Sequence, residues 1–373
     1  MNKQTIMGLT VVAVILSLAA YFAYQPTPEQ FAPKLWLPDL ANKIEQVDTI
    51  EVQKKGKGEV HLNQKDNGWR VKEKYDYPAS LEKIRDLIGA LQEAEIKAKK
   101  TADPNKHARL ELTAEQATRI RMLSGNDVLL DVMVGKQGPN YQGRYVRLSD
   151  SNQTYWIDKN LDVSLDAVHW LDRDLISIEP AQVKRVTYQA QGAKKPLIVE
   201  RHSPTDKHFS VRDLPQDRAL AFEGAADVAD TVLLGLRLED VMPRPANTPQ
   251  KPVFTTTVDT FDGKHVVIRM FEPKENELWA EFDVSFLPEN IVQTQTSAPS
   301  DKPLDDQMEK WKNQANALAT RLAPWRYKLS SYQSQVLRKK LEDFTRVKKE
   351  EKSSNEGSQA ATPTKPASAS RDG

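Results

Sequence analysis

Apolar residues begin to alternate with a period of two after residue 45. The same series of elements begins again about 136 to 145 residues further on. In the first stretch Ile50 and Val52 share a strand face, as do Val60 and Leu62, and Trp69 and Val71. Asn67-Gly68 predicts a tight type I′ turn between the second and third strands, because both central residues of that turn need positive φ. Pro78 opens a helical pattern with Ile84, Leu87, Ile88 and Leu91 on one side. A second meander follows through Ile120 and Met122, Val128 to Val134, Tyr145 to Leu148 and Tyr155 to Ile157, with Gly125-Asn126 and Gly143 at its turns. Leu161 to Leu175 predicts one or two short helices. In the second stretch Val183, Val186 and Tyr188 answer Val47, Ile50 and Val52, and Leu197 and Val199 answer Val60 and Leu62. Phe209-x-Val211 stands where Trp69-x-Val71 does. Val232, Leu233 and Leu236 repeat the helical Leu87, Ile88 and Leu91. Val258, Gly263, Val266, Ile268 and Met270 follow Ile120, Gly125, Val128, Leu130 and Val132 at a constant offset of about 138.

Five elements in one order, with turn residues in step, are hard to obtain by chance. They predict an α+β fold of two tandem copies of an antiparallel-sheet-plus-helix unit, over residues 46–176 and 177–290. In each copy the helix covers the apolar face of its sheet, since neither can bury that face alone. Residues 25–45 form a proline-punctuated stalk, and residues 291–345 form a loop followed by C-terminal helices. The 346–373 tail holds almost no large apolar residue and is expected to be disordered, because it has too little apolar surface to offset its ordering entropy.

From Thr5 to Tyr24 the chain carries no charge. About 20 helical residues span roughly 30 Å, the thickness of a bilayer's hydrocarbon. Lys3 precedes the run, Tyr21, Phe22 and Tyr24 end it, and Pro26 and Pro28 stop it. Residues 1–24 therefore read as an N-terminal transmembrane helix, a single-pass anchor with the basic end in the cytoplasm and the bulk of the chain outside it. The rival reading is a cleaved signal peptide with Ser17-Leu18-Ala19 as a weak site, and it exports the remainder equally.

Chemistry is harder to find. The chain has no cysteine, which removes thiol nucleophiles, thiolate metal sites and disulfides together. Its 53 basic and 52 acidic residues leave a formal net charge of +1, so no long-range field gathers nucleic acid or acidic substrates. The six histidines, His61, His107, His169, His202, His208 and His265, lack metal-ligand spacing; a site bridging the copies through His61, His202 and His208 is the one conceivable exception. Ser80 and Ser177 sit at expected helix starts, where capping accounts for them. Gly56-Lys57-Gly58 in the basic hairpin reads as a solvated turn that could also touch an anionic headgroup. Glu239-Asp240 and Asp305-Asp306 read as surface charge. Trp170-Leu171-Asp172-Arg173-Asp174-Leu175 reads as a clamp between the copies, with Arg173 free to bond a carboxylate or open backbone carbonyls. No catalytic, cofactor-binding or metal residue is assigned, and no cofactor is expected.

Several short motifs occur together: Gly68-Trp69-Arg70-Val71, Tyr77-Pro78-Ala79, Val134-Gly135-Lys136, Arg144-Tyr145-Val146-Arg147, the Trp170 to Leu175 segment, and Trp325-Arg326-Tyr327-Lys328-Leu329. In these the chain resembles the bacterial domain-of-unknown-function family 4340 across roughly residues 40–345. The resemblance implies an extracytoplasmic accessory subunit of an ABC transporter of the gliding-motility type. Its partners would then be ABC transporter permease and ATPase subunits, met at a bacterial inner membrane on the periplasmic side. No catalytic residue is implied. Phe209 in place of Trp69, and the lack of a second Tyr-Pro-Ala, set the second copy apart. The expected function is thus a non-catalytic accessory role through protein contacts; the alternative is an envelope-facing binding module for glycan, lipid or peptide, using Trp156, Trp170 or Trp279.

Overall fold

The computed structural model describes residues 34–66, 68–246, 251–274, 277–291 and 304–348. The uncharged run Thr5–Tyr24, the start of the stalk, Asn67 of the expected turn, the 292–303 loop and the tail from residue 349 lie outside them.

The alternating runs become strands. The first sheet holds β1 (Thr49–Lys54), β2 (Gly58–Lys65), β3 (Gly68–Val71), β4 (Tyr77–Pro78), β5 (Ile96–Lys99), β6 (Thr118–Ser124), β7 (Asp127–Gln137), β8 (Arg144–Leu148) and β9 (Tyr155–Ile157). Their spatial order is β4-β3-β2-β1-β6-β7-β8-β9-β5, and every pair is antiparallel. The second sheet draws on β10 (Asp174–Ile176), β11 (Val183–Ala190), β12 (Leu197–Glu200) and β13 (Ser210–Val211). After β14 (Arg218–Leu220), which stands apart, it continues with β15 (Leu236–Pro243), β16 (Phe254–Thr260), β17 (Lys264–Lys274), β18 (Glu277–Phe286) and β19 (Trp325–Leu329). Its order is β10-β15-β19-β18-β17-β16-β11-β12-β13. With β4 and β10 set aside, both sheets run through the same succession of strands. β14 pairs separately with β20 (Thr345–Val347).

The architecture corrects the α+β expectation: the chain is mostly antiparallel sheet. Among the described residues no helix is long and apolar enough to cross a membrane. The first unit keeps its helix, α1 (Leu81–Gln92), where Ser80 caps the start by accepting from the Lys83 N–H, and Ile84, Leu87 and Leu91 are buried. The second unit has no α-helix in the matching place. Gly224 and Gly235, both at positive φ, bracket the segment, and only a 3₁₀ turn at Asp227–Thr231 forms between them. Val232, Leu233 and Leu236 are buried all the same, so the matched apolar positions reflect packing and not a shared helical period. The short helices expected between Leu161 and Leu175 reduce to one 3₁₀ turn, Ala167–Trp170, followed by β10.

The cover missing from the second sheet comes from the C-terminal part of the chain. α2 (Leu304–Leu322) lies along β18. β19 enters the sheet between β15 and β18. After β19 the chain forms two short helices, α3 (Ser331–Leu337) and α4 (Leu341–Phe344), parted at Arg338. Leu322, Tyr327, Leu337 and Phe344 are fully buried by this wrapping. Residues 34–46 also pack on the fold: Trp36 and Leu40 are buried, and Leu35 bridges Glu95, so this segment covers the start of the β5 edge.

Candidate interaction surface

The two sheets share one hydrophobic core. Their junction gathers motifs that lie far apart in the sequence. Tyr77, from β4, sets its ring edge-on against Trp325 at 5.0 Å between centroids and against Tyr327 at 6.2 Å, both on β19. Tyr327 in turn meets Phe282 at 5.7 Å. Burial, aided by Asp172 and opposed by Arg321 and a hydrogen bond with Tyr327, pushes the Tyr77 hydroxyl up to about 12. The backbone closes the same seam. Ala79 bridges Leu171, Ser80 N–H donates to the Trp170 carbonyl at 2.8 Å, and Asp172 N–H donates to that of Pro78 at 2.9 Å. Arg173 donates through Nε to the Leu238 carbonyl at 2.9 Å, so the clamp uses an open carbonyl rather than a carboxylate. Lys74 pairs with Asp240 at 2.7 Å, which takes Asp240 out of free surface charge.

Each sheet turns a second face outward, and charges of alternating sign pair across its strands. On the first sheet Arg121 meets Glu51 at 2.8 Å, and Arg119 holds Asp131, which also accepts from Ser149. Burial works against the Asp131 carboxylate, but these partners outweigh it and keep its pKa below the ordinary range. On the second sheet Arg212 and Arg185 clasp Glu200 at 2.7 and 2.8 Å. They likewise hold its carboxyl down against burial. Further along, Glu281 accepts from Arg326 and pairs with Arg244, and Arg326 also stacks over Phe271 at 4.4 Å.

The histidines are dispersed. His61 meets Glu73 at 2.6 Å, His208 meets Asp227 at 2.7 Å and His265 meets Asp259 at 2.6 Å. His169 sits between Asp162 and Lys83, and buried His107 reaches the Asn152 carbonyl at 2.9 Å. His202 is exposed. Among the described residues no cluster of three or more histidine and carboxylate side chains has a geometry fit for a metal ion. Ser177 caps no helix; its hydroxyl accepts from the Gly235 N–H at 3.2 Å. Of the three tryptophans singled out for binding, Trp170 and Trp279 are buried and only Trp156 is half-exposed.

Two surface features escaped the sequence reading. One is a cleft of about 430 Å³ between the Trp36–Lys43 segment and the β7–β8 strands. Trp36, Leu40 and Leu130 form its apolar floor, and Asp39, Lys43 and Asp150 stand around it. Its parts come from stretches nearly a hundred residues apart. The other is the loop between β7 and β8, which holds Tyr141 80% exposed with φ at 60°, next to Asn140 at 55°. Gly143 marks the turn in the sequence, but nothing there marks the exposed ring of Tyr141.

Comparison with curated proteins and with solved structures gives no match. The stretch from β3 to the connection before β16, which contains the junction's first-sheet half and Arg173, does have a match: residues 69–253 fit the family model described as Domain of unknown function (DUF4340).

Proposed function

We propose that this chain is a non-catalytic accessory subunit of an ABC-type transport system, acting through protein contacts on the extracytoplasmic side of a bacterial inner membrane, with residues 5–24 as its membrane contact. The observation that carries the reading is the junction. Tyr77, Trp325 and Tyr327 join two sheets of the same strand order into one core, so both units would meet a neighbour as one body. Arginine–carboxylate pairs across the strands support a structural use of Asp131 and Glu200, since a carboxylate held below its ordinary pKa is a weak base near neutral pH. The resemblance to domain-of-unknown-function family 4340 supports the transporter as the setting. Affinity purification of the full chain from mild detergent, followed by mass spectrometry, is expected to recover a permease or an ATPase of that class. Recovery of neither overturns the reading.

One observation favours the alternative of an envelope-facing binding module. The Trp36–Leu130 cleft combines an apolar floor with charged groups at its rim, which is the usual make-up of a small-ligand or peptide site. Trp36→Ala should then abolish ligand protection in a thermal-shift screen of glycans, lipids and peptides while leaving partner capture intact.

A further inference from the structure

We infer that the β5 end of the first sheet, with its neighbour β9 and the β7–β8 loop, is a docking surface for an anionic lipid bilayer. The inference rests on the proposed membrane contact of residues 5–24 and adds to it a second, peripheral contact made by the folded part.

Charge comes first. Lys97, Lys99 and Lys100 are exposed along β5 and its end, Lys136 at the end of β7, and Lys34 beside them. Of the acids at this edge, Glu95 is held by Lys97 at 3.0 Å and Glu93 by Lys159 at 2.8 Å. Asp158 accepts from the Glu95 N–H at 2.8 Å and lies 4.0 Å from Lys97. Six lysines, Lys34, Lys97, Lys99, Lys100, Lys136 and Lys159, thus face three acids and leave an excess of three positive charges. Lysines near an anionic membrane surface each favour binding about fivefold.

The aromatic groups point the same way. Lys100 lies 5.7 Å over the Trp156 ring, whose Nε1 donates to the Gln142 carbonyl at 2.9 Å. That bond, with Gly138 N–H donating to the Gly143 carbonyl at 3.0 Å, braces the loop that carries Tyr141. Asn140 and Tyr141 lie at positive φ in succession, where non-glycine residues are strained. The loop bears this strain while holding an aromatic ring with a polar tip out in water. Tyrosine and lysine of this kind settle together at a headgroup layer.

The route of the chain supplies the third argument. Ile96 N–H donates to the Lys34 carbonyl at 2.9 Å and Leu35 bridges Glu95, so the chain joins the fold on the outer side of β5. The connection from Tyr24 to Lys34 spans at most about 35 Å when extended. Wherever Tyr24 meets a membrane, this edge stays close to it.

The chain lacks cysteine, so one can be introduced at exposed Gln142 and labelled with an environment-sensitive fluorophore. The full-length Gln142→Cys protein is reconstituted with vesicles of phosphatidylcholine alone, and with the same lipid containing phosphatidylglycerol. The expected result is a blue shift in the anionic vesicles only, with no shift from a label at Phe222→Cys on the second unit. Lys99→Gln and Lys100→Gln should each lower the docked-to-undocked ratio about fivefold. Protein that floats with both vesicles but gives the same emission in each overturns this inference alone. Protein that floats with neither overturns the membrane contact of residues 5–24, and this inference with it.

Discussion

Replacing Tyr77 by alanine tests the junction directly. The side chain is 4% exposed and touches two aromatic rings of the other unit. Truncating a buried aromatic to alanine costs about 3–5 kcal/mol, and each edge-on ring pair supplies about 0.5–1.5 kcal/mol of that. Tyr77→Phe keeps the rings and removes only the hydroxyl bonded with Tyr327, so it should cost about 1 kcal/mol. Denaturant unfolding is followed by far-ultraviolet circular dichroism and by tryptophan fluorescence, which reports on Trp325 among others. The parent chain should unfold in one transition seen alike by both probes, because one core serves both sheets. Tyr77→Ala should lose most of the predicted amount and separate the two probes. A double-mutant cycle with Trp325→Ala should give a coupling of about 1 kcal/mol. A loss under about 1 kcal/mol, or a coupling within error of zero, refutes the view that this contact joins the units.

Further outcomes can be checked on the same protein. Glu281→Ala removes the carboxylate from a pair whose two side chains are 4% and 8% exposed, and should cost about 3–5 kcal/mol in denaturant unfolding. Gly143→Ala would place its Cβ 1.8 Å from the Ile157 carbonyl oxygen at a φ of 65°, and should cost about 2–4 kcal/mol; Gly56→Ala, at a φ of 72° with open space around it, should cost only about 1 kcal/mol by thermal melting. Asp131 and Glu200 have folded pKa values below their ordinary ones, so the stability they contribute is fully present above about pH 4.5 and is lost as pH falls through the lowered values. Melting temperature should therefore drop steeply on acidification below that range, and Glu200→Gln should flatten the slope.

The strands were legible because a half-buried strand writes its burial into the sequence at every second residue. Ile50 and Val52, or Val266 and Ile268, need no partner to be recognised, and each of these four is fully buried. The helix of the second unit was misread because spacing alone cannot separate a helix from a loop that buries the same residues. Val232 and Leu233 follow a 3₁₀ turn, and Leu236 opens β15 after Gly235 has turned the chain. Gly224 and Gly235 were visible in the sequence, but glycine tells where the backbone is free to turn, not whether it does. β19 was missed for a different reason. Trp325 to Leu329 follows a helical segment and precedes another, and only the vacant position between β15 and β18 makes it a strand.

The candidate surfaces were the least legible part, and the reason is distance along the chain. Tyr77 and Trp325 each stood out as a motif, yet neither carries any local mark of the other. The Trp36 cleft needs a segment outside the repeat to fold back over β7 and β8. Within the repeat, a residue's role can be carried from one copy to the other only where the surroundings are also duplicated. The sheets meet that condition, as their common strand order shows. The covers do not: α1 shields the first sheet from within its own unit, whereas the second depends on residues 304–347 at the far end of the chain. The second unit should therefore fail to fold without that C-terminal part, while the first should tolerate its loss except at Tyr77.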